Sequence, residues 1–80
     1  MKTITATMTT KRHPDGSWKA VYARSCAGNV QILSETSCTQ GAACIQLARR
    51  MHPGARAYGF EPVDEHMAAV AIVFSGRGAK

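Results

Sequence analysis

One stretch, residues 37–51, reads as a helix with its own start and its own stop, and it limits what the rest of the chain can be. Ser37 stands three residues ahead of Gln40. That is the spacing of a capping box, in which the serine oxygen takes the third helical N–H and the glutamine reaches back to the cap. At about 100° per residue, Gly41, Cys44, Ile45, Leu47, Ala48 and Met51 gather on one side, and Ala42, Gln46, Arg49 and Arg50 fall on the other. Pro53 turns His52 away from the helical region and Gly54 admits a positive φ, which together end the helix. Arg49, Arg50 and His52 sit at the negative end of its dipole, where each cation is favoured by about 0.3–1 kcal/mol. A helix of about four turns with a single apolar stripe needs a sheet to cover.

The segments on either side supply that sheet. Residues 2–12 alternate, with Ile4, Ala6 and Met8 on one face and Thr3, Thr5, Thr7 and Thr9 on the other, the pattern of a half-buried strand. His13-Pro14-Asp15-Gly16-Ser17 then suits a three-residue bulged hairpin loop. Pairing His13 with Ser17 sets Arg12 opposite Trp18, Thr10 opposite Ala20 and Met8 opposite Tyr22, which puts both aromatics under the helix. A two-residue Asp15-Gly16 turn would slip the register by one and expose them. The preferred register points Arg24 inward near Ala6, where it must snorkel to the sheet edge. A second turn at Ala27-Gly28-Asn29 leads to a short strand, residues 30–34, with Val30 and Ile32 inward. After the helix, residues 56–60 read as a fourth strand and residues 61–66 as a polar loop around Pro62. Residues 67–74 are apolar on both parities, so that strand belongs in the middle of the sheet. Residues 75–80 are expected to fray.

The expected fold is therefore α+β, a single domain over residues 1–80. Its order is β-β-β-α-β-β, an antiparallel sheet of four or five strands with one helix on one face and the other face open. The open face would carry the threonine row with Lys11, Lys19 and Val21.

A chain of 80 residues buries only about 60% of its unfolded surface, enough for one layer between sheet and helix. No run approaches the roughly 20 apolar residues of a membrane span, and the N-terminus has no apolar signal core, so a cytoplasmic location is expected. Three cysteines, an odd number, read as reduced thiols. Ten basic residues against five acidic ones give +5, a balance suited to nucleic acid, an acidic protein surface or solubility alone.

Little in the chain carries catalytic chemistry. Cys38 falls at the helix start, where the dipole activates thiols, but no histidine lies near it in sequence to act as base. Cys44 lies on the core stripe, and the 26, 38, 44 spacing fits no zinc pattern. His13, His52 and His66 occupy a turn, a helix end and a loop. Glu61, Asp64 and Glu65 read as a solvated acidic loop or as a docking epitope for a basic partner. Gly76-Arg77-Gly78 lacks the strand-to-helix setting of a phosphate loop. No catalytic residue, metal or cofactor is expected.

The opening from Ile4 through Pro14-Asp15-Gly16, the strand from Trp18, residues 30–34 and the alanine-rich helix led by Ser37 resemble the HicB-type antitoxins. With the closing hairpin up to Phe74 included, the course is more similar to small phage-encoded anti-CRISPR proteins that block type I surveillance complexes. Those inhibitors share no catalytic residues, so the resemblance carries no site over. Many of them are acidic nucleic-acid mimics, a mechanism that +5 rules out here. What the resemblance implies is a non-enzymatic inhibitor, monomer or homodimer, that binds a bacterial defence complex. The alternative is a basic nucleic-acid-binding or antitoxin-like domain. Exposure and charge nominate Lys11, Lys19, Arg49, Arg50 and Arg56 as contacts for either partner.

Overall fold

The computed structural model describes residues 2–74. It contains β1 (Lys2–Arg12), β2 (Trp18–Cys26), β3 (Asn29–Ser37), α1 (Gln40–Met51), β4 (Ala57–Pro62) and β5 (Met67–Phe74). The five strands form one antiparallel sheet in the order β3-β2-β1-β5-β4, with α1 packed across one face. β5 is interior, between β1 and β4, while β1 holds the middle. The expected frayed tail, residues 75–80, lies outside the described residues.

The first hairpin takes the three-residue loop. The His13 N–H donates to Ser17 O at 2.8 Å, Gly16 N–H donates to His13 O at 2.9 Å, and Gly16 has φ 92°. Arg12 pairs with Trp18 and Thr10 with Ala20, so Trp18 and Tyr22 pack half-buried against the core beneath α1. Asp15 accepts from both the hydroxyl and the N–H of Ser17, and these bonds lower its pKa. A carboxylate with a lowered folded pKa contributes above its unfolded value, so this contact is lost as pH falls through the folded one.

The second hairpin departs from expectation. Its loop has two residues, Ala27 with φ 54° and Gly28 with φ 83°, and pairs Cys26 with Asn29. Positive φ at both positions is the turn that matches strand twist. This register sets Leu33 opposite Tyr22 and so into the core, and turns Val30 and Ile32 outward, 69% and 66% exposed. It also lengthens β3 to nine residues. The ladder between β1 and β2 covers only four pairs, from Arg12–Trp18 to Thr9–Val21, whereas that between β2 and β3 covers nine. Arg24 consequently does not lie inward near Ala6; it is exposed and its Nε donates to Gln31 Oε1 at 2.9 Å. A left-handed alanine costs about 1–2 kcal/mol. Ala27→Asn, which accepts that conformation, is expected to raise stability by about 1 kcal/mol in urea denaturation.

The helix is shorter than expected, 12 residues, because β3 keeps Ser37 in the ladder opposite Trp18. Thr39 is the N-cap, with φ −135° and ψ 159°, and its Oγ1 accepts from Ala42 N–H at 3.1 Å. Ser37 instead accepts from Gln46 Nε2 at 3.2 Å, and Cys38 precedes the cap, outside the helix. Thr39→Ala is expected to cost about 1 kcal/mol. Ser37→Ala should stay within about 0.5 kcal/mol, and the two midpoints in urea distinguish the caps.

The core cluster holds Ala6, Met8, Ala20, Ala43, Cys44, Leu47, Ala48, Ala68, Val70 and Ile72, half of them alanine. Ala43, assigned to neither side from sequence, is fully buried, while Ile45 is only half-buried. Small residues bring the helix close to the strands. At Gly41 an added Cβ would stand 3.1 Å from the Phe60 ring, so glycine sets the approach of α1 to β4. β4 runs on through Glu61 and Pro62, which shortens the expected loop.

Candidate binding surface

Strand alternation divides the nominated cations between two sides of the molecule. On the face away from α1, β1 presents Thr3, Thr5, Thr7, Thr9 and Lys11, and β2 presents Lys19 and Val21 beside them. The threonines and Lys11 are exposed, and Lys19 is half-buried. Lys11 and Lys19 are directly opposed across the ladder, with Thr36 of β3 next in line. Like charges in that position are destabilising by a few tenths of a kcal/mol or more. The ion pairs among the described residues are Arg50–Glu35 and His66–Glu65, so neither lysine has a carboxylate partner there.

Arg49, Arg50 and Arg56 belong to the helix side. Arg50 Nη1 bonds Glu35 Oε2 at 2.9 Å and Ser34 O at 3.3 Å, which ties the last turn of α1 to β3. Its guanidinium is therefore engaged within the fold. Arg49 lies over the Tyr58 ring, 5.4 Å from the centroid, a geometry that gives about 0.5–1 kcal/mol at an exposed site. Tyr58 donates to His52 O, and the His52 ring meets Phe74 edge-on at 5.4 Å. The Arg56 N–H donates to Val73 O at 2.7 Å, and its side chain is exposed. The five cations thus divide into a lysine pair on the open face, Arg49 and Arg50 in the last turn of α1, and Arg56 just ahead of β4.

The acidic loop is built into the fold. Gln40, expected in the capping box, occupies the first helical position and reaches Thr10 Oγ1 at 2.9 Å and Asp64 O at 2.7 Å. Thr10, only 5% exposed, donates in turn to Glu65 O at 2.9 Å, and its N–H donates to His66 O. The Asp64 carboxylate accepts the His66 N–H at 2.7 Å. This node joins β1, the start of α1 and the β4–β5 loop, and places that loop beside the Lys11 end of β1. Cys38 is exposed, whereas Cys44 is buried and its thiol pKa is raised by desolvation, which keeps it protonated and inert. Among the described residues, no three histidine, cysteine or carboxylate side chains converge as metal ligands would.

Sequence reasoning missed the exposed pair Val30 and Ile32. Its signal was present, because a two-residue Ala27-Gly28 turn by itself sends both residues to the threonine face.

Among the described residues, the architecture defines an α+β layer with one covered and one uncovered sheet face. No protein-family model, no curated protein and no solved structure matches the chain.

Proposed function

We propose that the protein is a non-enzymatic inhibitor that binds a bacterial defence complex, in the manner of the anti-CRISPR proteins its order of elements resembles. The open sheet face is its contact surface. The observation that supports this reading is the opposition of Lys11 and Lys19 on that face. Two lysines opposed across the ladder, with no carboxylate paired to either among the described residues, weaken the free fold, and an acidic patch on a partner removes the repulsion. The exposed threonine row beside them offers hydroxyls for a flat, polar contact.

The test is co-elution with a purified type I surveillance complex, combined with an interference assay in cells. Wild-type protein is expected to co-elute and to suppress interference. Lys11→Glu/Lys19→Glu should lose both properties, and Arg49→Ala should keep them. Absence of co-elution together with intact interference removes the proposal.

The same lysine pair favours a second reading, nucleic-acid binding by the open face. Retention on DNA separates the two. Phosphate contacts by both lysines give a log–log salt slope of about −2, and Lys11→Glu/Lys19→Glu abolishes retention on DNA. No retention at low salt eliminates this alternative.

A further inference from the structure

The two edges of the sheet differ in how they are guarded. β4 is six residues long, carries Glu61 and ends in Pro62, features that discourage strand addition. β3 is nine residues long, its sequence Asn-Val-Gln-Ile-Leu-Ser-Glu-Thr-Ser has no proline or lysine, and its first half carries no charge. The two-residue turn fixes which of its backbone groups are free. With Cys26–Asn29 as the closing hydrogen-bonded pair, residues 29, 31, 33, 35 and 37 bond to β2. Residues 30, 32, 34 and 36 turn their N–H and C=O toward the open edge. Arg50 occupies one of these groups, the Ser34 carbonyl. Val30 and Ile32 keep theirs on a hairpin that extends beyond the β1–β2 ladder, and their side chains are the two most exposed large hydrophobics among the described residues.

We infer that β3 pairs with β3 of a second copy of this chain, antiparallel, about a dyad at Gln31. That register makes Val30 and the Ile32 of the other copy a hydrogen-bonded pair, twice over. It gathers four β-branched side chains on the outer face and keeps the Arg50-capped half of the strand out of the contact. A dyad needs no second kind of surface, since the same unpaired groups meet their own image. Charge permits the contact as well: Arg24, paired with Gln31 across the ladder, is held by the Gln31 side chain on the other face. So short an edge falls below the roughly 1,200 Å² of a stable complex, so the dimer is weak and reversible. Because each copy carries +5, added salt tightens it, the reverse of nucleic-acid binding. Neither Lys11 nor Lys19 takes part, so this inference and the binding proposal stand or fall separately.

Sedimentation equilibrium of the full chain, from micromolar to millimolar, is the test. The weight-average mass is expected to rise from 8.6 kDa toward twice that value, more readily at 0.5 M than at about 0.05 M salt. Ile32→Lys, at an exposed position, should remain monomeric throughout with an unchanged circular dichroism spectrum. In a Cys26→Ser/Cys38→Ser background, Gln31→Cys should oxidise to a disulfide-linked dimer, because a residue on the dyad meets itself at about 4.5 Å between Cα atoms. Thr36→Cys should not. A wild-type chain that stays monomeric at millimolar concentration overturns the inference, as does Ile32→Lys associating like wild type. Equal cross-linking at positions 31 and 36 overturns it too.

Discussion

Leu47→Ala is expected to lower stability by about 3 kcal/mol and the melting temperature by roughly 12–24 °C, at about 4–8 °C per kcal/mol for a domain of this size. Leu47 is fully buried. Half of its core cluster is alanine; Met8, Val70 and Ile72 are the other large fully buried apolar side chains, with Trp18, Tyr22, Leu33 and Phe60 packed at the margin. Alanine side chains cannot swing into a vacated space, so relaxation falls to the larger side chains at the margin and the unfilled part of the cavity adds to the lost transfer free energy. With a native margin of about 5–15 kcal/mol, a change of this size removes a large fraction of it. Leu47→Met, which conserves volume, should cost less than about 1.5 kcal/mol. Gln46→Ala, one position away on the exposed side, should stay within about 0.5 kcal/mol. Thermal melts followed by circular dichroism separate the three. Equal losses for Leu47→Ala and Gln46→Ala would mean that α1 does not pack by this face.

The same helix shows where sequence reasoning succeeds and where it stops. The spacing of Cys44, Leu47 and Ala48 identifies the buried stripe because one face must meet the sheet, and no long-range information is needed. The start is harder. Ser37 and Thr39 are both good caps locally, and the choice falls to Thr39 only because β3 extends as far as the rung with Trp18. Gln40 fits a capping box when read alone, yet its amide goes to Thr10, 30 residues away. Register behaves the same way. The Pro14-Asp15-Gly16 loop was legible because proline and glycine determine the backbone at their own positions. Ala27-Gly28 was less legible, since alanine seldom takes φ 54°, and assuming a three-residue turn there reverses every side chain of β3. The candidate surface inherits this. Lys11 and Lys19 could be placed on the open face from the first hairpin, whereas the exposure of Val30 and Ile32 depended on the second. The engagement of Arg50 by Glu35 followed from no local pattern at all.

Thr10→Val is expected to cost about 2 kcal/mol, although the two side chains have nearly the same shape. The Thr10 hydroxyl donates to Glu65 O and accepts from Gln40 Nε2, both at 2.9 Å, in a site only 5% exposed. Valine leaves that carbonyl without its partner and presses a methyl group against the glutamine amide, so the loss is the desolvation cost of stranded polar groups. The substitution acts at a junction of three elements, and its effect should appear first as loosening of the β4–β5 loop. Faster amide exchange at Asp64 and His66 would report it. Gln40→Ala alone should cost less, about 1 kcal/mol, because water can replace its bond to the Asp64 carbonyl. In the double variant, valine at position 10 no longer faces an amide, so the losses should fall short of additivity by at least about 0.5 kcal/mol. Strict additivity in urea denaturation would show that the threonine and the glutamine act independently, and that the acidic loop is held by its own turn.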